Sequence, residues 1–280
     1  MSAGAHGEPF APFFLPASPG ERFCIFHPAA GTPRGAVLYL HPFAEEMNKA
    51  RRMAALQSRM LAARGYAVLQ IDLFGCGDSS GEFCDARWEL WKQDVALALA
   101  WLGPRAGGAI HLWGLRLGAL LALDYAAGCG ATFGGFLLWQ PVVSGEAFLT
   151  QFLRLRVATE MLADGAATTG TQALRDSLVA GNTLEIAGYD LAPGLAAALD
   201  ALKLAELAPR GAPVHWFEVV AETGRPLPPA ARRVADRWLA GNVELNVHTV
   251  AGQPFWNTLE ITDTPALLEA TSRTMGQEQR

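Results

Sequence analysis

A mostly parallel β-sheet with helices on both faces is the fold class that the sequence predicts, on three observations. Short apolar runs alternate with segments of helical periodicity, the pattern of βα units. Glycine-containing loops directly follow several of those runs, where an open α/β sheet places its ligands. The chain has 280 residues, 51% hydrophobic and 18% charged. That balance excludes a disordered chain and supplies a core large enough to need no disulfide or metal staple.

The elements follow in order. Met1 to Phe10 is rich in small residues and has no period, so residues 1–10 are expected to be flexible, as are 276–280. Phe23 to His27 reads as a strand, and Ala36 to His41 as a buried one through Val37, Leu38, Tyr39 and Leu40. Asn48 to Arg64 has helical spacing, with Met53, Leu56 and Met60 on one face and Gly65 as its stop. Tyr66 to Ile71 is a strand closed by Asp72, followed by a loop carrying Gly75, Gly77 and Gly81. A helix from Asp85 to Leu102 turns Trp88, Trp91, Val95, Leu99 and Leu102 inward and leaves Glu89, Lys92 and Asp94 among its polar positions. Ile110 to Trp113 (strand), Leu115 to Ala127 (helix) and Gly135 to Trp139 (strand) repeat the alternation.

After Pro141 the rhythm changes. Residues 145–205 are read as a helical cap inserted into one domain spanning 1–280, with one isolated strand-like piece at Thr183 to Ile186. The βα alternation resumes at Val214 to Val220, Ala230 to Leu239, Val243 to Val250 and Thr264 to Met275.

With 22 basic and 27 acidic residues the net charge is −5, against a nucleic-acid binder, which needs a concentrated positive face. Cys24, Cys76, Cys84 and Cys129 form no C-x-x-C pair and are expected to be free thiols in a reducing compartment. The N-terminus lacks the basic start and apolar block of a signal peptide, and polar residues interrupt every long apolar run. A cytoplasmic protein with no membrane span, no metal and no cofactor is the expectation.

The chemistry is sought in the loops after the strands. Gly114-Leu115-Arg116-Leu117-Gly118 has the strand–turn–helix setting and the glycine spacing of a nucleophile elbow, G-x-S-x-G. Its central residue is Arg116, and a guanidinium, protonated at every ordinary pH, cannot attack a carbonyl.

Residues His41 to Glu46, Asp72 to Gly81 and Gly114 to Gly118 resemble, in order, the oxyanion-hole loop, the D-x-x-G-x-G-x-S loop and the elbow of the α/β-hydrolase superfamily. The strings HPFAEEMNKARRMA, DLFGCGDSSGEF, WGLRLGALLALD and LLWQPVVSGEAFLTQFLRLR resemble the exosortase A system-associated hydrolase 2 family, from about Phe13 to Met275. The resemblance implies an α/β-hydrolase fold and a role beside exosortase/PEP-CTERM export and exopolysaccharide machinery, with proteins of that locus as possible partners. It also implies an acid after a late strand and a histidine after the last one. Here Arg225 stands where an Asp is usual, Glu222 is displaced, and Ala251 to Trp256 contains no histidine. His248 lies earlier, inside the strand.

Each candidate carries two readings. Arg116 is either a structural ion pair with Glu45, Glu46 or Asp78, or a fork that binds a carboxylate or phosphate. His41 either stabilises its loop or opens an oxyanion hole. Glu45 and Glu46 complement the helix start beside Lys49, Arg51 and Arg52, or one of them faces the pocket as a general acid or base. Asp72 and Asp78 are read as fixing the glycine loop, and Cys76, between its two glycines, is read as a free thiol, with a nucleophile as the alternative. Phe43, Leu117, Gln140 and Trp256 complete an expected ligand pocket with His41 and Arg116. Phe148, Phe152, Leu155 and Leu162 form an apolar stripe read as packing under the cap, and Arg154 and Arg156 are placed over the pocket.

Three functions fit this pattern. A ligand-binding protein without the serine triad would take a small-molecule, glycan or peptide-derived ligand at Arg116. An active hydrolase of an ester, thioester or amide would have moved its chemistry to Glu45 or Glu46 with Arg116 as oxyanion partner. A non-catalytic protein-interaction module would use neither.

Overall fold

The computed structural model describes residues 10–164 and 170–277. The expected flexibility of residues 1–9 and 278–280 therefore lies outside the described residues. Strands β1 (Ala11–Pro16), β2 (Glu21–His27) and β3 (Gly35–Leu40) lead to helix α1 (Glu45–Ala62). Then come β4 (Tyr66–Ile71), α2 (Trp88–Leu102), β5 (Ile110–Leu115), α3 (Leu117–Cys129) and β6 (Gly135–Trp139). The segment beyond β6 holds α4 (Gly145–Asp164), α5 (Thr171–Val179), β7 (Leu184–Ile186), β8 (Tyr189–Leu191) and α6 (Pro193–Ala201). The chain ends with β9 (Val214–Val220), α7 (Pro229–Ala240), β10 (Leu245–Ala251) and α8 (Pro265–Gln277).

The eight-stranded sheet has the order β1-β2-β4-β3-β5-β6-β9-β10. From β4 to β10 its pairs are parallel, and β1 and β2 add an antiparallel edge. This is the predicted fold class. From β3 the chain moves outward to β4 and then returns to β5 on the other side of β3. The crevice of such a sheet opens at this reversal, beyond the carboxyl ends of β3 and β5.

Side-chain alternation sorts the core into two layers. Ala36, Leu38 and Leu40 of β3 join Trp91, Leu120 and Leu138 on one face. Val37 and Tyr39 join Met53, Trp113, Trp139 and Leu267 on the other. The apolar layer holding Leu38 continues into Phe148, Phe152 and Leu195, so the segment after β6 shares the core of the sheet. A β-bridge between Ser144 and Lys203 ties the two ends of that segment together.

Four details differ from the sequence reading. The proline-flanked strand β1 falls in a stretch that has no strand-like alternation, and it is held by pairing with β2. Thr183 to Ile186 is not isolated, because β7 pairs with β8 across a turn at Ala187 and Gly188. Asp94 does not point to solvent: it is 2% exposed and pairs at 2.6 Å with Arg22, itself 0% exposed. Leu162 leaves the apolar stripe and is 88% exposed, while Phe148 and Phe152 stay buried. No helix among the described residues is long and apolar enough to cross a membrane.

Candidate functional site

The turn from β5 into α3 is an elbow by its backbone. Arg116 has φ 55° and ψ −115°, a conformation that L-residues adopt only under constraint from their surroundings. Its N–H donates to the Trp139 carbonyl (2.9 Å), and its carbonyl accepts from Ala119 N–H (3.2 Å). The flanking glycines are required by close approach. A Cβ on Gly118 would lie 2.2 Å from the Leu40 carbonyl oxygen, and one on Gly114 would lie 2.4 Å from the backbone of Ala119. The end of β3 and the start of α3 are thus in backbone contact.

Two neighbours share this strained geometry. Ala44, immediately before α1, has φ 47° and ψ −124°, and Gln140, just beyond β6, has φ 43°. Three non-glycine residues at positive φ therefore stand at the carboxyl ends of β3, β5 and β6. Strain of this kind clusters at sites that place side chains deliberately.

Arg116 reaches back to α1. Its Nε donates to Glu46 Oε1 at 3.1 Å, and the arginine side chain remains 21% exposed against 9% for Glu46. The guanidinium carbon lies 5.6 Å from the ring centre of Trp256 and 5.7 Å from that of Phe148, so two aromatic walls confine it. Among the described residues the Nη groups have no hydrogen-bond acceptor. Glu46 Oε2 is buried without a partner, as is Glu45 Oε2. Burial pushes the Glu46 carboxyl up to about 7, against the lowering pull of Arg116 and with a smaller upward push from Glu45. Burial also raises Glu45.

A cleft of about 220 Å³ opens beside the guanidinium. Arg116, Gln140, Phe148, Gln151 and Glu218 are among its walls, with apolar surface from Val142 and Pro228. Glu218 is 4% exposed and has both oxygens occupied: Oε1 accepts from Gln140 Nε2 (2.9 Å) and Oε2 from Trp216 Nε1 (2.8 Å). Gln140 Oε1 in turn accepts from Val219 N–H (2.7 Å), which fixes the orientation of the amide. Burial raises the Glu218 carboxyl, opposed by these hydrogen bonds and by Arg116. Sequence reasoning missed Glu218. Its signal was a lone acid inside the apolar run Val214-His215-Trp216-Phe217-Glu218-Val219-Val220.

The expected single pocket is divided. His41, Phe43 and Leu117 line a separate void of about 10 Å³, the size of one water. His41 accepts from Leu73 N–H at Nε2 (3.2 Å), so its proton sits on Nδ1, which donates to the Pro42 carbonyl (2.7 Å). Burial lowers its pKa, and the neutral ring clamps the loop after β3 to the loop after β4. The glycine loop is held as expected for Asp72: Arg51 binds both of its oxygens (3.2 and 2.8 Å), and a Cβ on Gly77 would strike Asp72 Oδ2 and the Arg51 guanidinium. Arg52 pairs with Asp263, so neither arginine serves Glu45 or Glu46. Asp78, the third suggested partner of Arg116, instead donates its own N–H to Asp72.

Other candidates are placed elsewhere. Cys76 is buried 7% exposed with its thiol pushed up by burial, the opposite of an activated nucleophile. Arg156 pairs with Glu160 on its own helix, and neither it nor Arg154 lines the cleft. His248 stacks on Phe217 and lies 3.3 Å from His215, both lining a different cleft together with His111. Glu222 is exposed in its loop. No histidine among the described residues lines the cleft beside Arg116, and no cluster of metal-ligating side chains occurs among them.

Residues 31–190 match the family model described as serine aminopeptidase, S33. A comparison with curated proteins finds no match. Among solved structures, the chain is similar to Est1E from Butyrivibrio proteoclasticus with ferulic acid bound, at 14% identity and a TM-score of 0.70, over 95% of this chain and 98% of that one. It is also similar to a thermostable carboxyl esterase from Bacillus coagulans in complex with glycerol (13% identity, TM-score 0.63, 95% and 98% covered). Proline iminopeptidase from Mycobacterium smegmatis aligns at 13% identity and a TM-score of 0.60, over 96% and 98% of the two chains. With the family model matched over more than half of this chain, the chain belongs to the serine aminopeptidase S33 family and has the α/β-hydrolase fold.

Proposed function

We propose that this α/β-hydrolase-fold protein binds a small anionic ligand in the cleft beside Arg116 and has no serine triad. One observation carries the reading: the elbow presents a guanidinium held by Nε alone, with its Nη groups left for a ligand. A planar fork of donors suits a carboxylate or phosphate. The N-terminus of α3 adds the positive end of a helix dipole at the same place. Phe148, Val142 and Pro228 supply apolar surface for the body of the ligand, and Trp256 backs the guanidinium. Residues 145–205 serve as the cap, since Phe148 and Phe152 pack on Phe43 of the loop below them (5.6 and 5.0 Å). His41, Phe43 and Leu117 belong to the site as supports of its loops. The resemblance of the strings around residues 41, 72 and 116 to exosortase-associated proteins supports a supporting role in exosortase-linked surface polysaccharide or protein export, on the cytoplasmic side.

The test is a panel of p-nitrophenyl esters and thioesters, run beside titration of carboxylates and phosphates against Trp fluorescence. The expected result is saturable anion binding that Arg116→Ala abolishes, with no turnover above background. Robust turnover blocked by a fluorophosphonate would refute the reading.

A second reading has one specific observation in its favour. Glu46 titrates near neutrality, as a general base must, and touches the guanidinium that would meet an oxyanion. It requires turnover that Glu46→Gln removes.

A further inference from the structure

We propose that the cleft binds its anion together with a proton: as a ligand carboxylate docks on Arg116, Glu46 takes up a proton from solvent and becomes neutral. This rests on the anion-binding reading of the same site and adds how that site is regulated. No bond in the ligand forms or breaks, and the charge brought in by the anion is balanced by the proton.

The geometry makes the coupling. One cation faces several acids: Arg116 pairs with Glu46, feels Glu45 on the same helix turn and acts on Glu218 from across the cleft. Only Glu218 has both oxygens satisfied by donors. Glu46 has one oxygen on Arg116 Nε and the other buried with no donor, an arrangement that suits a carboxylic acid better than a carboxylate. The remaining charged or titratable groups near it are Lys49, one turn along α1, and Tyr39 on β3. Tyr39 is 4% exposed and its phenol is held neutral by burial, so it supplies no charge.

A ligand anion on the Nη groups competes for the field of Arg116, the main influence that keeps Glu46 ionised. Glu46 sits near neutrality before any ligand arrives, about 7, so it is the group that the added negative charge moves first. Glu45 is half-buried and has Lys49 beside it as a counter-charge.

Calorimetric titration with benzoate and with hexanoate, in buffers of different ionisation enthalpy, counts the protons. The expected result is uptake approaching about one proton per ligand at pH 8 and close to none at pH 5.5, with Kd weakening up to tenfold per pH unit above pH 7. Glu46→Gln should bind benzoate with no uptake and with a Kd independent of pH between 6 and 9. Infrared difference spectra of the unsubstituted protein should show a protonated carboxyl band appearing with benzoate at pH 8, a readout that needs no variant to fold. Binding without uptake at pH 8 overturns the coupling and leaves the anion site standing. Uptake that persists in Glu46→Gln overturns the assignment to Glu46. Absence of saturable binding by benzoate, hexanoate and inorganic phosphate alike overturns the underlying reading.

Discussion

Arg116 and Glu46, 70 positions apart in sequence, meet at 3.1 Å where the loop after β3 passes the elbow after β5. The pair is asymmetric. The arginine keeps solvent contact on the cleft side, and the acid is buried with one bare oxygen. Breaking a pair from the arginine side therefore strands a buried acid, and breaking it from the acid side strands nothing that water cannot reach.

Arg116→Ala should lower stability by about 2 kcal/mol at pH 8 and by much less at pH 5, where Glu46 is already neutral. Urea unfolding at the two pH values checks this. Equal losses at both would mean that the aromatic packing of the guanidinium, not its charge, is what matters.

Arg116→Ser restores the elbow motif and should still give no esterase. A serine hydroxyl needs a base in contact with it, and His41 has its Nε2 occupied by Leu73 N–H while His248 is stacked on Phe217. Ester turnover by the variant, measured against the purified parent protein, would show that a base reaches the elbow.

Glu46→Gln should flatten the dependence of stability on pH. The folded protein holds this acid at about 7, above its ordinary 4.5. Its contribution is therefore complete below about pH 4.5 and is lost as pH rises through 7. Replacing the acid by its neutral isostere should stabilise the protein at pH 8 by about 1–3 kcal/mol and leave it almost unchanged at pH 4.5. Tm measured across that range gives the answer.

Gly118→Ala should cost about 1–3 kcal/mol, because its methyl meets the carbonyls of Leu40 and His41 and forces β3 and α3 apart. The shift should also weaken any anion binding, since Arg116 leads into α3 and Glu46 lies on α1, the helix that follows β3. By contrast Gly128→Ala, where a Cβ meets nothing, should leave Tm unchanged or slightly higher.

Asp94→Ala should be the most damaging of the buried-polar changes, at about 3–5 kcal/mol. It leaves Arg22 buried without its carboxylate and frees the Phe74 N–H that Asp94 Oδ2 accepts (2.8 Å). Chemical denaturation measures the loss, and Arg22→Met with Asp94→Leu together should recover much of it.

The sequence alone determined the layered α/β architecture, the loops that carry chemistry and the identity of the residue at the elbow. Those features are local: apolar period separates strand from helix, and paired glycines mark where Gly114 and Gly118 let two backbones touch. Tertiary structure alone decided which acid meets Arg116. Glu45 and Glu46 are neighbours on one helix turn and point about 100° apart, so which of them faces Arg116 is set by the face that α1 buries, the one holding Glu46, Met47 and Ala50. Packing likewise turned Asp94 inward to Arg22, brought Glu218 to the wall of the cleft and pointed His41 and Leu117 into a different void from the cleft that Arg116 lines. Each of these depends on segments far apart in the chain, and a charged side chain in a low-charge sequence reveals its role only once its neighbours are in place.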